Sequence, residues 1–431
     1  MKAILIDKDT NALSWSDVPN PVVGPEDALV EIHAAALNRA DLMQRAGDYP
    51  PPPGCPEWMG LEIAGVIVEL GEEAKKKSSW KIGDKVCALL GGGGYAEYAN
   101  VKYDMLMPVP ETCTFEEAAA IPEAFATAYL NLFIEGGLKA GDTLLMHAGA
   151  SGLASVVIPM AKAFGARVIT TVIEDSVIDR IKHLGADRVV NSRKEDIVKV
   201  LEEERDAGHP IDVAIDCLGG SIQGKCLQYM RYGGRWIMIA TLAGDITEVD
   251  LKKLYVLNVR LIGSTLRSKK PEFKAKLLAT LVKDVWPKID TGEVRPTIYK
   301  VLPITEAEAA HAILERGENV GKVVLKVREG RENGGNFRVR KFPPYPFQRT
   351  LKKRDKSDFI VGATIVARRV SGFPVGEGLI RPRMAAHLRL PPWGKAWIAR
   401  RGCGGSKPPP YGVYASPTPP LNFFQKNSKT P

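Results

Sequence analysis

The chain has 431 residues, 45% hydrophobic and 25% charged, which is too long for one compact core and too apolar for a disordered polymer. Its net charge of +9 is unevenly placed: residues 1–328 carry 39 basic and 45 acidic side chains, and residues 329–431 carry 20 and 5. That tail also holds 14 Pro and 12 Gly, about a quarter of its length, the level at which aperiodic segments are low in complexity or disordered.

The first 115 or so residues read as short strands separated by turn chemistry. Lys2–Ile6, Ala28–Ala34, Ala64–Leu70, Asp84–Leu89 and Tyr95–Ala99 are strand candidates, with Pro19-Asn-Pro21 and Gly24-Pro25 between the first two. From Phe115 the pattern becomes helix–strand alternation. A helix is expected over Glu116–Phe133, a buried strand over Asp142–His147, a helix over Ser155–Phe164 and a strand over Ala166–Thr171. Helices at Ser176–Leu184 and Asp196–Ala207 then alternate with strands at Asp187–Val190, Ile211–Asp216, Gly234–Ile239 and Val259–Ser264. Such alternation implies a doubly wound parallel sheet. Helices over Pro271–Lys288 and Thr305–Arg316 lead to a last strand, Gly321–Val327, placed to rejoin the β-rich first part.

The strongest local signal is His147-Ala-Gly-Ala-Ser-Gly-Leu-Ala154 between a strand and a helix. Gly149, Ser151, Gly152 and Leu153 then form a tight turn at a helix start, where main-chain N–H groups and the positive helix end suit a pyrophosphate. The spacing is G-x-x-G-x-x-A, so the strand–turn–helix–strand context carries the reading more than the motif does. An acidic residue that would hold a ribose diol is expected about 20 residues on. Val172 stands there, with Glu174 and Asp175 slightly late, which leaves NAD and NADP both open. The run Gly91–Gly94 lies between strands with no helix after it and reads as a turn, His147 as a core histidine, and Cys217 as a small buried residue beside a Gly219-Gly220 loop able to pass close to a cofactor. The six cysteines, Cys55, Cys87, Cys113, Cys217, Cys226 and Cys403, include no C-x-x-C pair, which points to a reducing compartment. Asp7, Lys8 and Asp9 interrupt the opening apolar run, so no signal peptide or membrane span is expected and a cytoplasmic protein is.

Taken in order, Ala36-Leu-Asn-Arg-Ala-Asp-Leu-Met-Gln-Arg45, Tyr49-Pro-Pro-Pro-Pro-Gly54, Gly60-Leu-Glu-Ile-Ala-Gly65, Trp80–Asp84, Ala119-Ala-Ile-Pro-Glu-Ala124, His147–Gly152, Asp216-Cys-Leu-Gly-Gly220, Leu266-Arg-Ser268 and Asn319-Val-Gly-Lys322 carry a resemblance. Over residues 1 to about 327 the chain resembles the medium-chain dehydrogenase/reductases, specifically the zinc-independent quinone oxidoreductases and, within them, the tumour-suppressor-inducible group. The resemblance implies an α/β architecture in which a Rossmann domain (119–265) is inserted in a GroES-like catalytic domain (1–118 and 266–328). It also implies a nicotinamide cofactor, NADPH or else NADH, in the cleft between them, and reduction of a quinone. By position, Asn38, Asp41 and Tyr49 match the active-site wall and Thr127 the residue beside the nicotinamide. Ser151 and Gly152 match the phosphate turn, and Leu266, Arg267, Asn319 and Lys322 the cofactor cleft. Tyr49 and Asn38 are the candidates to orient the acceptor carbonyl, with no general acid required, and Asp41 reads better as a scaffold residue. Members that prefer NADPH have Ser, Lys and Tyr where this chain has Glu174, Val177 and Ser192; Arg193 is the candidate to replace the lost charge. Zinc-dependent relatives have Cys and Gly-His-Glu where Asn38 and Gly60-Leu61-Glu62 stand, so no metal is expected. A homodimer is expected by analogy alone.

Two further readings stay beside this one. The same hydride chemistry serves an enone or alkenal double-bond reductase, and a cofactor-bound relative without turnover could bind RNA or act structurally. The tail, residues 329–431, mixes basic pairs with Trp393 and Trp397, a composition that can bind nucleic acid nonspecifically. No recognised nucleic-acid module accompanies it, and it reads as a disordered or non-native extension rather than a functional domain.

Overall fold

A computed structural model describes residues 1–328; the expectations for residues 329–431 lie outside the described residues. Six strands form one parallel sheet in the order Arg188–Asn191, Arg167–Val172, Thr143–Met146, Ile211–Asp216, Met230–Met238, Arg260–Gly263. Chain order reverses between Thr143–Met146 and Ile211–Asp216, and that switch point opens a crevice at the carboxyl ends of the strands, where ligands bind in such sheets. The central strands are buried along their whole length because helices cover both faces: every residue of Thr143–Met146 and Ile211–Asp216 is buried.

The rest folds around a seven-stranded sheet ordered Ile298–Pro303, Lys322–Lys326, Asp27–Ala36, Glu62–Leu70, Lys85–Leu89, Leu106–Pro108, with Tyr98–Lys102 also paired to Asp27–Ala36. Lys322–Lys326 lies antiparallel to Asp27–Ala36, Val324 opposite Ala36, so the end of the described chain closes the sheet that its beginning opened. The expected insertion of a doubly wound sheet into a β-rich domain is therefore observed. A single buried cluster runs from Ala34, Ala64 and Cys87 through Phe125 and Leu130 to Leu144 and Val156, joining both lobes through one core. Among the described residues no helix is long and apolar enough to cross a membrane.

The helix expected over Glu116–Phe133 is three pieces. Phe115–Ala119 is capped by Thr114, whose hydroxyl accepts from the Glu117 N–H while the Glu117 carboxylate accepts from the Thr114 N–H. Pro122 cannot donate to the preceding turn, so a second helix starts there and runs to Tyr129. Leu130–Glu135 then widens into a π-turn, a local underwinding common at functional sites.

A candidate active site between the lobes

A cavity of about 160 Å³ lies at the junction. Tyr49, Leu61 and Leu89 contribute from the β-rich lobe, Glu123, Thr127 and Asn131 from the broken helix, and Ile239 and Ser264–Arg267 from the ends of the last parallel strands. Lys274 closes it from the helix Pro271–Asp290. The π-turn is what aims Asn131 here: its amide nitrogen donates to Thr127 O at 2.8 Å, while its Oδ1 is buried with no partner among the described residues. Ser264 Oγ and Arg267 Nε are in the same condition. Buried polar atoms left unpaired in a native fold call for an explanation, and here three of them belong to residues that line one cavity.

Tyr49 is placed by two devices. The Arg267 guanidinium lies 4.0 Å from the centre of its ring and donates to Gly91 O at 3.2 Å. The Gly91–Gly94 run is a turn, as expected, and its lack of side chains lets the Tyr49–Gly60 loop lie against it: a Cβ on Gly91 would stand 2.5 Å from Cys55 Sγ, and one on Gly93 2.8 Å from Pro56. Burial pushes the Tyr49 phenol above its ordinary range against the pull of Arg267.

Asn38 and Asp41 do not line the cavity. Asn38 donates through Nδ2 to Glu62 Oε1 at 3.0 Å and accepts at Oδ1 from Lys322 Nζ at 2.7 Å, so both ends of its amide are committed. Asp41 is fully buried and accepts from the Asn38 N–H at 2.7 Å, the Gly60 N–H at 3.1 Å and the Tyr95 hydroxyl at 3.0 Å. It thus stands in the scaffold behind the cavity wall; burial raises its carboxyl to about 6 despite those donors. Lys322 is likewise committed, to Leu37 O at 2.6 Å and Glu62 Oε1 at 2.7 Å. Asn319 donates to Gly321 O at 2.7 Å.

The turn after Thr143–Met146 has the expected strand–turn–helix form, with Ala148 in the left-handed region at φ 56° and Ser151 Oγ accepting from the Ala154 N–H at 3.1 Å. The Gly149 N–H is taken up by Thr171 O of the neighbouring strand and the Ser151 N–H by Ala148 O within the turn. An anion would therefore meet the N–H groups of Ala150, Gly152 and Leu153, at the start of Ala154–Ala163. The glycines serve packing: a Cβ on Gly149 would lie 2.5 Å from Thr170 Oγ1, and one on Gly152 3.1 Å from the Lys322 stem. His147 donates or accepts through Nδ1 with Thr171 Oγ1 at 3.1 Å, is buried, and is held below its ordinary pKa by desolvation. Gly219 and Gly220, at φ 64° and 63°, pass close to the loop Thr241–Gly244, where a Cβ on Gly219 would lie 2.7 Å from Gly244 O. Asp216, which had no assigned role, holds that loop by accepting from the Leu218 and Gly219 N–H groups and the Trp236 indole. At the far end Arg193 pairs with Glu174 at 3.5 Å, both exposed, and Lys194 pairs with Asp175.

Sequence reasoning placed Tyr49, Thr127, Leu266 and Arg267 on this cavity and missed Glu123, Asn131, Ser264 and Lys274. Among the described residues no group of three or more His, Cys, Asp or Glu side chains is arranged to hold a metal ion.

Two family models match: "Alcohol dehydrogenase GroES-like domain" over residues 24–111 and "Zinc-binding dehydrogenase" over residues 152–283. A quinone oxidoreductase of Mus musculus is 30% identical over 318 residues, 72% of this chain and 92% of its own. A highly reducing polyketide synthase of Cordyceps militaris is 29% identical over 348 residues, 79% of this chain; the match spans only 13% of that much longer protein. Among solved structures, a mycobacterial protein complexed with NADPH superposes with a TM-score of 0.67 at 25% identity, covering 76% of this chain and 100% of its own.

Proposed function

The chain belongs to the medium-chain dehydrogenase/reductases, and from that premise we propose that it is an NAD(P)H-dependent quinone oxidoreductase that needs no catalytic metal. The observation that carries the reading is the cavity itself, lined by apolar side chains that suit a flat ring (Leu61, Leu89, Leu90, Ile239, Leu266) together with polar ones (Tyr49, Glu123, Thr127, Asn131, Lys274).

When bound, a reduced nicotinamide supplies a hydride. The N–H groups of Ala150, Gly152 and Leu153 and the positive end of the helix behind them would hold its pyrophosphate. Thr127 and the unpaired Asn131 Oδ1 and Ser264 Oγ would hold the nicotinamide end, which gives those buried atoms the partners they lack. Tyr49, stiffened by Arg267, orients the acceptor carbonyl, and Asn38, Glu62 and Lys322 fix the wall at one distance from the turn through the contact of the Lys322 stem with Gly152. Placement of two reactants is the protein's main contribution to such a reaction. A catalytic zinc needs three protein ligands; Asn38 and Glu62 are bonded to each other and to Lys322, and Leu61 has no ligand atom.

NADPH is the proposed reductant, as in the solved mycobacterial relative, with NADH second because Glu174 offsets Arg193 where a 2′-phosphate would lie. Likeness to a highly reducing polyketide synthase favours an α,β-unsaturated carbonyl as the second acceptor class. Oxidation of NADPH and NADH measured in parallel against quinones and enones tests all of this. Turnover of quinones with a larger kcat/KM for NADPH is expected, and inactivity toward both acceptor classes would remove the assignment.

A further inference from the structure

Glu123 is the one carboxyl among the residues that line the cavity, and neither dinucleotide binding nor acceptor seating uses it. It stands in the first turn of Pro122–Tyr129. Its own N–H donates to Glu62 Oε2 at 2.8 Å, and the Thr127 hydroxyl, one turn on, donates to its Oε1 at 3.4 Å. The charged and titratable groups around it come from every neighbouring element: Glu62 and Lys322 from the β-rich sheet, Lys274 from the long helix, Tyr49 and Arg267 from the loops of the rim. Lys322 is spent on Glu62, Asn38 and Leu37 O. Lys274 donates to Arg267 O at 2.9 Å. Glu123 is thus an acid beside a second, already paired carboxylate, in a cavity with apolar sides. Burial and Glu62 raise it to about 7 against the opposing pull of Lys322 and Lys274, the range in which a group both gives and regains a proton near neutral pH.

We propose that Glu123 is the proton carrier of this site, donating to the acceptor oxygen that gains charge on reduction and regaining a proton from solvent. The inference rests on the quinone reductase reading, which supplies the reductant. A C–H bond of the reduced dinucleotide breaks, its hydride forms an O–H bond at one quinone oxygen, and the electron pair displaced through the ring comes to rest on the opposite oxygen. Its new O–H bond forms as that of Glu123 breaks. The products are oxidised dinucleotide, hydroquinone and the Glu123 carboxylate, which one solvent proton restores. A proton supplied as the charge develops spares the site the cost of holding a desolvated oxyanion in a cavity with apolar sides.

The test compares wild type with Glu123→Gln, which keeps size and hydrogen bonding but carries no acidic proton. With NADPH and a 1,4-naphthoquinone, wild-type kcat should fall as pH rises through about 7. In the variant kcat should drop roughly 100-fold, the lower end of general acid–base contributions, lose that pH break, and leave KM and dinucleotide affinity little changed. Infrared titration of the protein without cofactor gives a readout independent of turnover: in the wild type minus Glu123→Gln difference spectrum, where the Asp41 carboxyl common to both cancels, a protonated-carboxyl band titrates near 7. A variant with wild-type kcat and pH profile, or a difference spectrum without that band, overturns the proposal while leaving quinone reduction standing. A wild-type chain that binds neither dinucleotide overturns the reading and the proposal with it.

Discussion

His311 is a buried side chain whose two ring nitrogens have no partner among the described residues. It sits in the helix Ala307–Arg316 with its ring edge-on to Tyr95, centroids 6.0 Å apart. Burial, helped by Arg45 and opposed by Glu308, lowers its pKa to about 4. The unfolded chain takes up this proton below about pH 6.5, whereas the folded chain does so only near 4, so stability is lost as pH falls between those values. Asp41 works in the opposite sense. Its carboxyl is raised to about 6, so the folded chain binds that proton before the unfolded one does, and acidification from 6 toward 3.8 favours the fold. The two effects overlap, and the histidine is isolated by comparison with His311→Leu. Between pH 7 and pH 5 the wild type should lose about 2 kcal/mol of unfolding free energy relative to the variant, measured by urea titration at both values; a constant difference would contradict the assignment.

At the scale of the element, the turn Ala148–Gly152 is held by what lies beneath it as much as by what it binds. Thr170 is buried and its hydroxyl donates to Met146 O at 2.7 Å, so the atom that a Gly149 side chain would meet at 2.5 Å cannot swing away. Gly149→Ala should therefore cost about 1–3 kcal/mol, as overpacking does, with weaker dinucleotide binding because the turn lifts off the sheet. Combining it with Thr170→Ala should recover part of the loss, so that thermal unfolding shows the double variant less destabilised than the two singles added together. The turn, its strand and its helix were legible because strand and helix periodicities flank it. The break at Pro122 was also written in the chain, yet an apolar run from Ala118 to Phe133 hid it behind one continuous helical pattern. The π-turn carrying Asn131 has no local signature. Glu123 lay inside a motif already noticed, but what makes it an unusual acid is its burial between the lobes and, after that, the nearby Glu62, and no periodicity records that meeting. Asn38 and Lys322 were legible as neighbours of the site, and only the packed structure shows that they bond to each other.

The whole molecule leaves one edge of its parallel sheet open. Arg260–Gly263 pairs with Met230–Met238 on one side and with no other strand among the described residues. An exposed strand edge is a template for another chain unless it is blunted. Here Leu261 is 43% exposed, and Tyr255 and Val256 of the preceding helix and Tyr232 of the adjacent strand are exposed as well. The Gly233 N–H bonds to Leu257 O, which brings the Tyr232 and Tyr255 segments together beside that edge. Apolar groups grouped in this way mark association surfaces, and a second copy of the chain fits them because two identical strand edges can pair about a twofold axis. The proposed homodimer would run one sheet through both copies while the cavity, on the side facing the β-rich lobe, stays within each. Light scattering on the purified protein should give twice the chain mass of 47.0 kDa. Leu261→Lys, which sets a charge on the edge, should shift that mass to one chain and leave dinucleotide affinity near the wild-type value. A wild-type mass of one chain would sink the dimer, and a variant that stays dimeric would move the interface off this edge.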